Sequence, residues 1–522
     1  MVGFNHEIGK LFWIGVSYDG GTAFSSLRGS RIMMTPSPEN FFSHFAKTLQ
    51  GDDVITRLRD DLIGDNLTIP GPFGPKKLVY ADYVASGRAL SVIEQAIATQ
   101  VLPYYANSHT EASFCGQVMN RMRHEARQII ARLCGAEQGF ATIFTGNGAT
   151  AGLNRLVHLL GVRDAVRAGE CPLVLIGPYE HHSNILPWRE SGAELIEIAE
   201  APDGGPDLAQ LEAHLAAAAP ERLKIGAFSS ASNVTGIVTD TDSVTRLLKK
   251  YGAKSVWDYA GGGPYLPIDM KAGTDAEKDA VVLSTHKFIG GPGASGVLIV
   301  REAAVATQEP TLPGGGTVRF VSPWGHDYSG SVTAREEAGT PDVVGNIRAA
   351  LCFLVKDAIG AAFMAERNHT LYQRAYDAWH ANPYLEILGN AQAKQHLPIF
   401  SFRVKDTDGK LIHHQLFTRM LSDLYGIQAR GGCACAGPYA HRLLSLGQDE
   451  SMRMHEAIRA GQEVEKPGWV RLNFSVLMDD AKVAYILKSV NELAENASVI
   501  AQSYLCDTAT ARFKYQETLA AE

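Results

Sequence analysis

The rhythm of apolar and polar positions changes near residue 78. Before it, apolar residues are scattered among polar and turn-forming ones, and the stretch closes on the breaker-rich IPGPFGPKK. From LVYADYV onward, apolar runs of strand length alternate with helical patterns. The clearest unit is KIGAFSSAS, VTDTDSVTRLLKKYG and KSVWDYA: a strand, a helix with an N-cap at Asp240 or Thr241 and a stop at Gly252, and a second strand. ATIFTGNGATAGLNRLVHLL and LVLIGPYEHHSNILPW repeat the pattern. The predicted fold is α/β, with a large domain built on a mostly parallel sheet and helices on both faces. After GTPDVVGN a long helical pattern, from about Ile347 to His380, leads to LPIFSFRVKD and WVRLNFSVL, read as strands of a smaller C-terminal α+β domain. The expected division is an N-terminal extension of uncertain structure (1–77), a large domain (78–346), and a linking helix with the small domain (347–522).

Composition narrows the class. The 522 residues are 45% hydrophobic and 20% charged, as in ordinary soluble globular proteins, and no apolar run is long enough to span a bilayer. A net charge of -8 argues against a nucleic-acid partner. The early apolar run LFWIGVSY follows Glu7 and precedes no cleavage signal, so a cytoplasmic location is expected. Two readings of the extension stay open: Met33 or Met34 is the true start, or residues 1–77 pack on a dimer. Of the seven cysteines, Cys115, Cys134, Cys171, Cys352 and Cys506 stand singly and are expected to be buried and inert. Cys433 and Cys435 differ, because they sit together in the Gly-rich ARGGCACAGP.

The polar clusters follow predicted strands, where open α/β sheets bind their ligands. In DAVVLSTHKFIGGPGASGVLIV, Lys287 stands between two apolar runs; a wall there would desolvate it, lower its pKa and free the amine for Schiff-base chemistry. A solvated lysine is the plain alternative. Asp258 ends the strand of KSVWDYAGGGP, where its carboxylate suits a buried cation such as a protonated pyridine nitrogen, or else caps the next turn. IFTGNGATAGLN reads as strand, Gly-rich turn and helix start, whose N–H groups at Gly148, Ala149 and Thr150, with the Thr150 hydroxyl, suit a phosphate. It lacks the Gly-Lys-Ser/Thr ending of a nucleotide P-loop. His181 and His182 point in different directions, so a shared metal site is not expected; a ring stacked on a flat cofactor is the functional alternative to two loop histidines. Asn233, just past a strand, either donates to a cofactor oxyanion or forms a turn.

In this order, these pieces resemble the class V aminotransferase and cysteine desulfurase family, whose fold is the fold-type I PLP-dependent transferase. The similarity covers roughly Leu78 to Leu493. Its most specific marker is Ser284, Thr285, His286 and Lys287 before a Gly-rich turn. The resemblance implies pyridoxal 5′-phosphate held by Lys287, phosphate contacts from Ser284 and His286, pairing of Asp258 with the pyridine nitrogen, stacking by His181 and a ring contact from Asn233. The family's glutamine three residues after the aspartate is here Gly261, so that contact is missing or comes from elsewhere. LPGGGTVRF resembles the segment whose threonine, here Thr317, reaches the phosphate of the neighbouring subunit, which implies a homodimer. REEAGTPDVVGN matches a motif expected at the domain junction through Arg335, Glu337, Gly339 and Thr340.

ARGGCACAGP is similar to the desulfurase loop with a nucleophilic cysteine a few residues after an arginine, here Cys435 and Arg430. Cys433 stands where related desulfurases often carry histidine. The pair is alternatively a structural or redox feature of an enzyme doing other chemistry. Arg471 resembles the arginine that clamps the substrate carboxylate, and Arg430 and His109 join it as candidate substrate contacts. The implied activity is a desulfurase acting on a small amino acid. It moves sulfur from cysteine through a Cys435 persulfide, with acid/base duty on Lys287 or His181, and leaves room for a protein that accepts the sulfur. Cys433 either receives that sulfur next or forms a disulfide with Cys435. The alternatives are an aminotransferase, a C–S lyase or an epimerase on the same scaffold, or a non-catalytic binding relative. The helical insert SMRMHEAIRAGQ between Cys435 and Arg471 has no assigned counterpart.

Overall fold

A computed structural model describes residues 40–107 and 110–516. Its centre is a seven-stranded sheet. Across it, the strands run Phe140–Gly146, Gly296–Arg301, Ala280–Leu283, Lys254–Asp258, Lys224–Ser229, Leu173–Ile176 and Glu194–Glu197. Only Gly296–Arg301 runs antiparallel to its neighbours. The strands read as continuous apolar runs because both faces are buried: Val281 and Leu283 face one core, Ala280 and Val282 the other. The period of two thus divides one sheet between two layers of helices.

Helices Phe114–Leu133 and Val343–Ile359 cover one face, and Gly148–Leu159 the other. Several helix starts are set by a capping side chain. Ser113, Asp240 and Asp342 accept backbone N–H groups of their helices' first turns, which fixes the helix starting at Thr241 with Asp240 as its cap. The helical stretch expected from Ile347 to His380 is two helices, Val343–Ile359 and Ala361–Trp379, broken at Gly360, whose φ of 85° is open to glycine and costly for other residues.

The C-terminal part carries an antiparallel sheet, in the order Leu385–Ile387, Ile399–Lys405, Trp469–Asn473, Arg430–Gly432, with Leu411–Ile412 at its side. It packs on helices Ala361–Trp379, His414–Tyr425 and Asp480–Ala501 through Trp379, Phe402, Phe417 and Val490. Two segments cross the expected sequence boundaries. Phe41, Phe42, Phe45 and Leu58 of the N-terminal extension are buried in the core of the large sheet. Val79–Tyr80 pairs in parallel with Ile427–Gln428 of the small unit. Among the described residues, no helix is long and apolar enough to cross a membrane, and no cluster of His, Cys, Asp or Glu could hold a metal ion.

The cysteine expectation needs correction. Cys134 and Cys352 are buried, but Cys115 is half-buried and Cys171 and Cys506 are exposed. Cys171 precedes its strand rather than lying in it, and Cys506 sits on a C-terminal hairpin, so neither faces a core.

Candidate active site

The carboxyl ends of the parallel strands meet the small sheet around a cavity of about 230 Å³. It gathers Ala149, Thr150, His181, Asn233, Asp258, Ser284, His286, Lys287, Arg430, Cys435 and Arg471, which the sequence spreads over more than three hundred positions. Asp258 ends the strand Lys254–Asp258, and Lys287 ends a single helical turn following Ala280–Leu283. The two strands are hydrogen-bonded neighbours, so both side chains arrive at the same place.

Burial sets the protonation states. It is the larger influence on Lys287, pulling the amine down to about 8 from its ordinary 10.5, against the opposing pull of the Asp258 carboxylate. Burial likewise raises the Asp258 carboxyl, whose Oδ1 accepts the Ala260 N–H at 2.7 Å. His181 is pushed down to about 4, first by burial and then by Lys287, and its Nδ1 accepts the Ser183 N–H at 3.1 Å. A neutral ring at physiological pH suits stacking. Behind the site, Glu180 takes the Ser229 N–H and hydroxyl and the Asn184 amide, and burial raises its carboxyl to about 7.

The helix Gly148–Leu159 begins at the cavity, and its first residue is preceded by Asn147 without a side-chain cap. The Ala149 N–H is already engaged, donating to Ser284 Oγ at 3.0 Å, whereas Thr150 is exposed and its hydroxyl lies 2.7 Å from that of Ser183. Gly148 is required: its φ is 66°, and a Cβ there would come within 2.8 Å of Ser284 Oγ and 3.2 Å of His286 Cε1.

Arg471 is buried, with Nη1 donating to Asn233 O at 3.1 Å and Nη2 to Asp82 Oδ1 at 2.8 Å, while its Nε has no partner. Asp82 also accepts from Arg430 Nε at 3.0 Å, so it bridges both candidate substrate arginines. The sequence reading missed Asp82. Asn233 is likewise drawn aside, its amide donating to Ala434 O at 3.0 Å, toward the cysteine loop rather than into the cavity alone. That loop is further tied by His182 N–H to Cys435 O at 2.9 Å and by Gly437 N–H to His182 Nε2 at 2.8 Å.

Four expected residues stand apart. His109 lies outside the described residues. Thr317 does not line this chain's cavity; it is buried at the base of the hairpin Val318–Ser322 and Gly325–Tyr328, its hydroxyl on Gly314 O at 2.7 Å. Arg335 and Glu337 lie between the hairpin and the helix Val343–Ile359, and their partners belong to the large unit. Arg335 holds Ser329 O and Gly330 O at the hairpin base, and Glu337 binds Arg127 and the Phe144 N–H of the first strand.

The family Aminotransferase class-V matches residues 79–471. The chain belongs to the class-V aminotransferase family. A probable cysteine desulfurase of Vibrio cholerae is 30% identical over 365 residues, covering 69% of this chain and 85% of that protein. A cysteine desulfurase of Klebsiella pneumoniae is 30% identical over 369 residues, covering 70% and 86%. In three dimensions the family member is similar to the apo structure of a cysteine desulfurase from Thermococcus onnurineus, with a TM-score of 0.69 at 25% identity over 84% of this chain and 98% of that one. The mostly parallel sheet with its smaller α+β unit is thus the fold-type I architecture of this family.

Proposed function

We propose that the chain is a pyridoxal 5′-phosphate-dependent cysteine desulfurase that moves the sulfur of cysteine onto Cys435 and releases alanine. The observation that carries it is that Cys435 borders the same cavity as Lys287, Asp258 and Arg471. The residues fit the cofactor. The uncapped helix start beside Thr150, Ser284 and His286 suits the phosphate, Asp258 suits the pyridine nitrogen, and Lys287 has an amine of depressed pKa for the aldehyde. Bound there, the cofactor supplies an electron sink for the substrate's Cα carbanion.

The chain's own groups do the rest. Arg471, which borders the cavity, receives the substrate carboxylate. The neutral Lys287 amine takes the Cα proton and later returns one. Cys435 attacks the substrate sulfur: the S–S bond forms as the C–S bond breaks, and the electron pair left on the substrate carbon is protonated. The net exchange turns cysteine and a thiol into alanine and a persulfide. His181, neutral and partly buried, covers the ring face. The proposed setting is the cytoplasm, where a thiol nucleophile is kept reduced, with a sulfur-acceptor protein as the onward partner. We take the enzyme to be a homodimer, the hairpin bearing Thr317 reaching the second copy's site; support comes from Phe320, Val321 and Trp324, exposed apolar side chains on that hairpin.

Cys435→Ala tests the reading. Loss of alanine formation from cysteine, with the cofactor's absorption retained, is expected. An unchanged rate of amino-acid turnover, or pyruvate in place of alanine, overturns it in favour of a lyase or transaminase.

A further inference from the structure

The two thiols of the C-A-C sequence occupy different environments. Cys435 is exposed and borders the cavity. Cys433 is half-buried, does not border it, and packs with Ala434, Leu443 and Leu444 against a cluster containing Tyr439 and Trp469. Between them the chain turns sharply. Ala434 and Cys435 have φ of 52° and 56°, and the Ala436 N–H donates to Cys433 O at 3.2 Å. Two consecutive left-handed residues under such a bond make a type I′ turn, with Cys433 at its first position and Cys435 at its third.

Left-handed backbone is costly for residues with a Cβ, and neither residue is the Asn or Gly such turns favour. The turn persists because its surroundings hold it: Asn233 grips Ala434 O, His182 N–H grips Cys435 O, and Gly437 N–H binds His182 Nε2. The geometry has a chemical consequence. Left-handed helical backbone is the mirror image of the ordinary helix, in which residues two apart have Cα atoms about 5.4 Å apart. That is within the span of about 4.4–6.8 Å that a disulfide bridges. An extended chain would hold the two further apart.

We propose that Cys433 is the resolving thiol of this enzyme. The proposal rests on the reading of Cys435 as the persulfide-bearing residue. The Cys433 thiolate attacks Sγ of the Cys435 persulfide, a Cys433–Cys435 bond forms, and the terminal sulfur leaves as hydrosulfide with the electron pair of the broken S–S bond. The two cysteine sulfurs end as a disulfide, the outer sulfur is reduced to sulfide, and a dithiol reductant returns the pair to two thiols before the next turnover. The burial of Cys433 favours this role over onward delivery, since a thiol packed into an apolar cluster is poorly presented to an acceptor protein.

The experiment uses the reduced, cofactor-loaded full chain, freed of external thiol and mixed with cysteine, and follows sulfide, alanine and the peptide spanning both cysteines by mass spectrometry. The wild type is expected to release roughly one equivalent of sulfide, stop with the Cys433–Cys435 disulfide, and restart on addition of dithiothreitol. Cys433→Ser and Cys433→Ala are expected to stop with the persulfide on Cys435 and to lose about tenfold or more of the thiol-free sulfide burst. Retention of the cofactor's absorption reports that each variant is folded, and alanine matches the apolar surroundings of Cys433 if serine disturbs them. The proposal is overturned if both variants keep the wild-type burst, or if the wild type accumulates a persulfide beside a free Cys433. Absence of any persulfide in both variants overturns it differently, by removing the Cys435 reading on which it rests.

Discussion

Asp82 and Arg471 form a buried ion pair at the back of the cavity, Oδ1 to Nη2 at 2.8 Å, with side chains 12% and 4% exposed. The second Asp82 oxygen accepts from Arg430, so a single carboxylate holds two guanidinium groups beside the cavity. Removing one partner of such a pair strands the other charge, at about 3–5 kcal/mol. Asp82→Asn keeps an oxygen acceptor and loses the charge, so its unfolding free energy from urea titration is expected to fall by about 3 kcal/mol, the lower end of that range. The KM for the amino-acid substrate is expected to rise, with kcat affected less, because the arginine fork is no longer held in plane. Unchanged unfolding and unchanged KM together would remove Asp82 from any positioning role.

Why Asp82 escaped the sequence reading while Lys287 and Asp258 did not is a matter of topology. Lys287, Asp258, Asn233 and Thr150 each follow a strand of one parallel sheet, and the strand-then-loop pattern is enough to bring them to one edge. Asp82 meets Arg471 across 389 positions, carried there by the two-residue strand Val79–Tyr80, which is too short to show a period. The turn at Ala434 and Cys435 was hidden for a related reason: its conformation is imposed by Asn233 and His182 from other loops, and its residues are not those that favour left-handed backbone. The break at Gly360 left a weaker trace, one glycine in a pattern otherwise periodic on both sides. The partners of Arg335 and Glu337 were not legible either, because a motif fixes residue types and leaves their partners open.

Lys287 has an amine that burial brings down to about 8, which makes cofactor capture depend on pH in a particular window. Only the neutral amine condenses with an aldehyde, and below its pKa the neutral fraction falls about tenfold per pH unit. Protein stripped of cofactor is expected to capture added pyridoxal 5′-phosphate about tenfold faster per pH unit up to about 8, then at a constant rate, followed by absorbance after rapid mixing. A rate still climbing toward 10.5, the ordinary lysine value, would show an amine in contact with solvent.

Glu180 links the site to acid–base stability. Its folded carboxyl is raised to about 7 from 4.5, chiefly by burial, so between those values the folded protein holds a proton that the unfolded chain has released. The contribution to stability is complete below 4.5 and is lost as pH rises through about 7, a change of about 3 kcal/mol for a shift of this size. Glu180→Gln keeps a carbonyl oxygen for the Ser229 N–H, turns an NH2 toward the Ser229 hydroxyl, which then accepts, and removes the titration. Its urea midpoint is expected to vary less than the wild type's across that window. Parallel slopes for the two proteins would place the titration elsewhere.

The hairpin Val318–Ser322 and Gly325–Tyr328 carries Trp324 at 92% exposure, with Phe320 at 60% and Val321 at 63%. Three large apolar side chains standing together in water favour a protein partner over solvent. Thr317 sits at the base of that hairpin, which Arg335 holds through Ser329 and Gly330. If a second copy covers the hairpin, Trp324→Ser with Phe320→Ser should convert the protein from dimer to monomer by light scattering and weaken cofactor retention, since Thr317 of the partner subunit would no longer reach the phosphate. Thr317→Ala separates the two effects: it should leave the dimer intact and lower cofactor affinity about 5–30-fold, as expected from losing one hydrogen bond of about 1–2 kcal/mol. A dimer that survives the double substitution with full cofactor affinity would mean that the exposed hairpin serves some other contact.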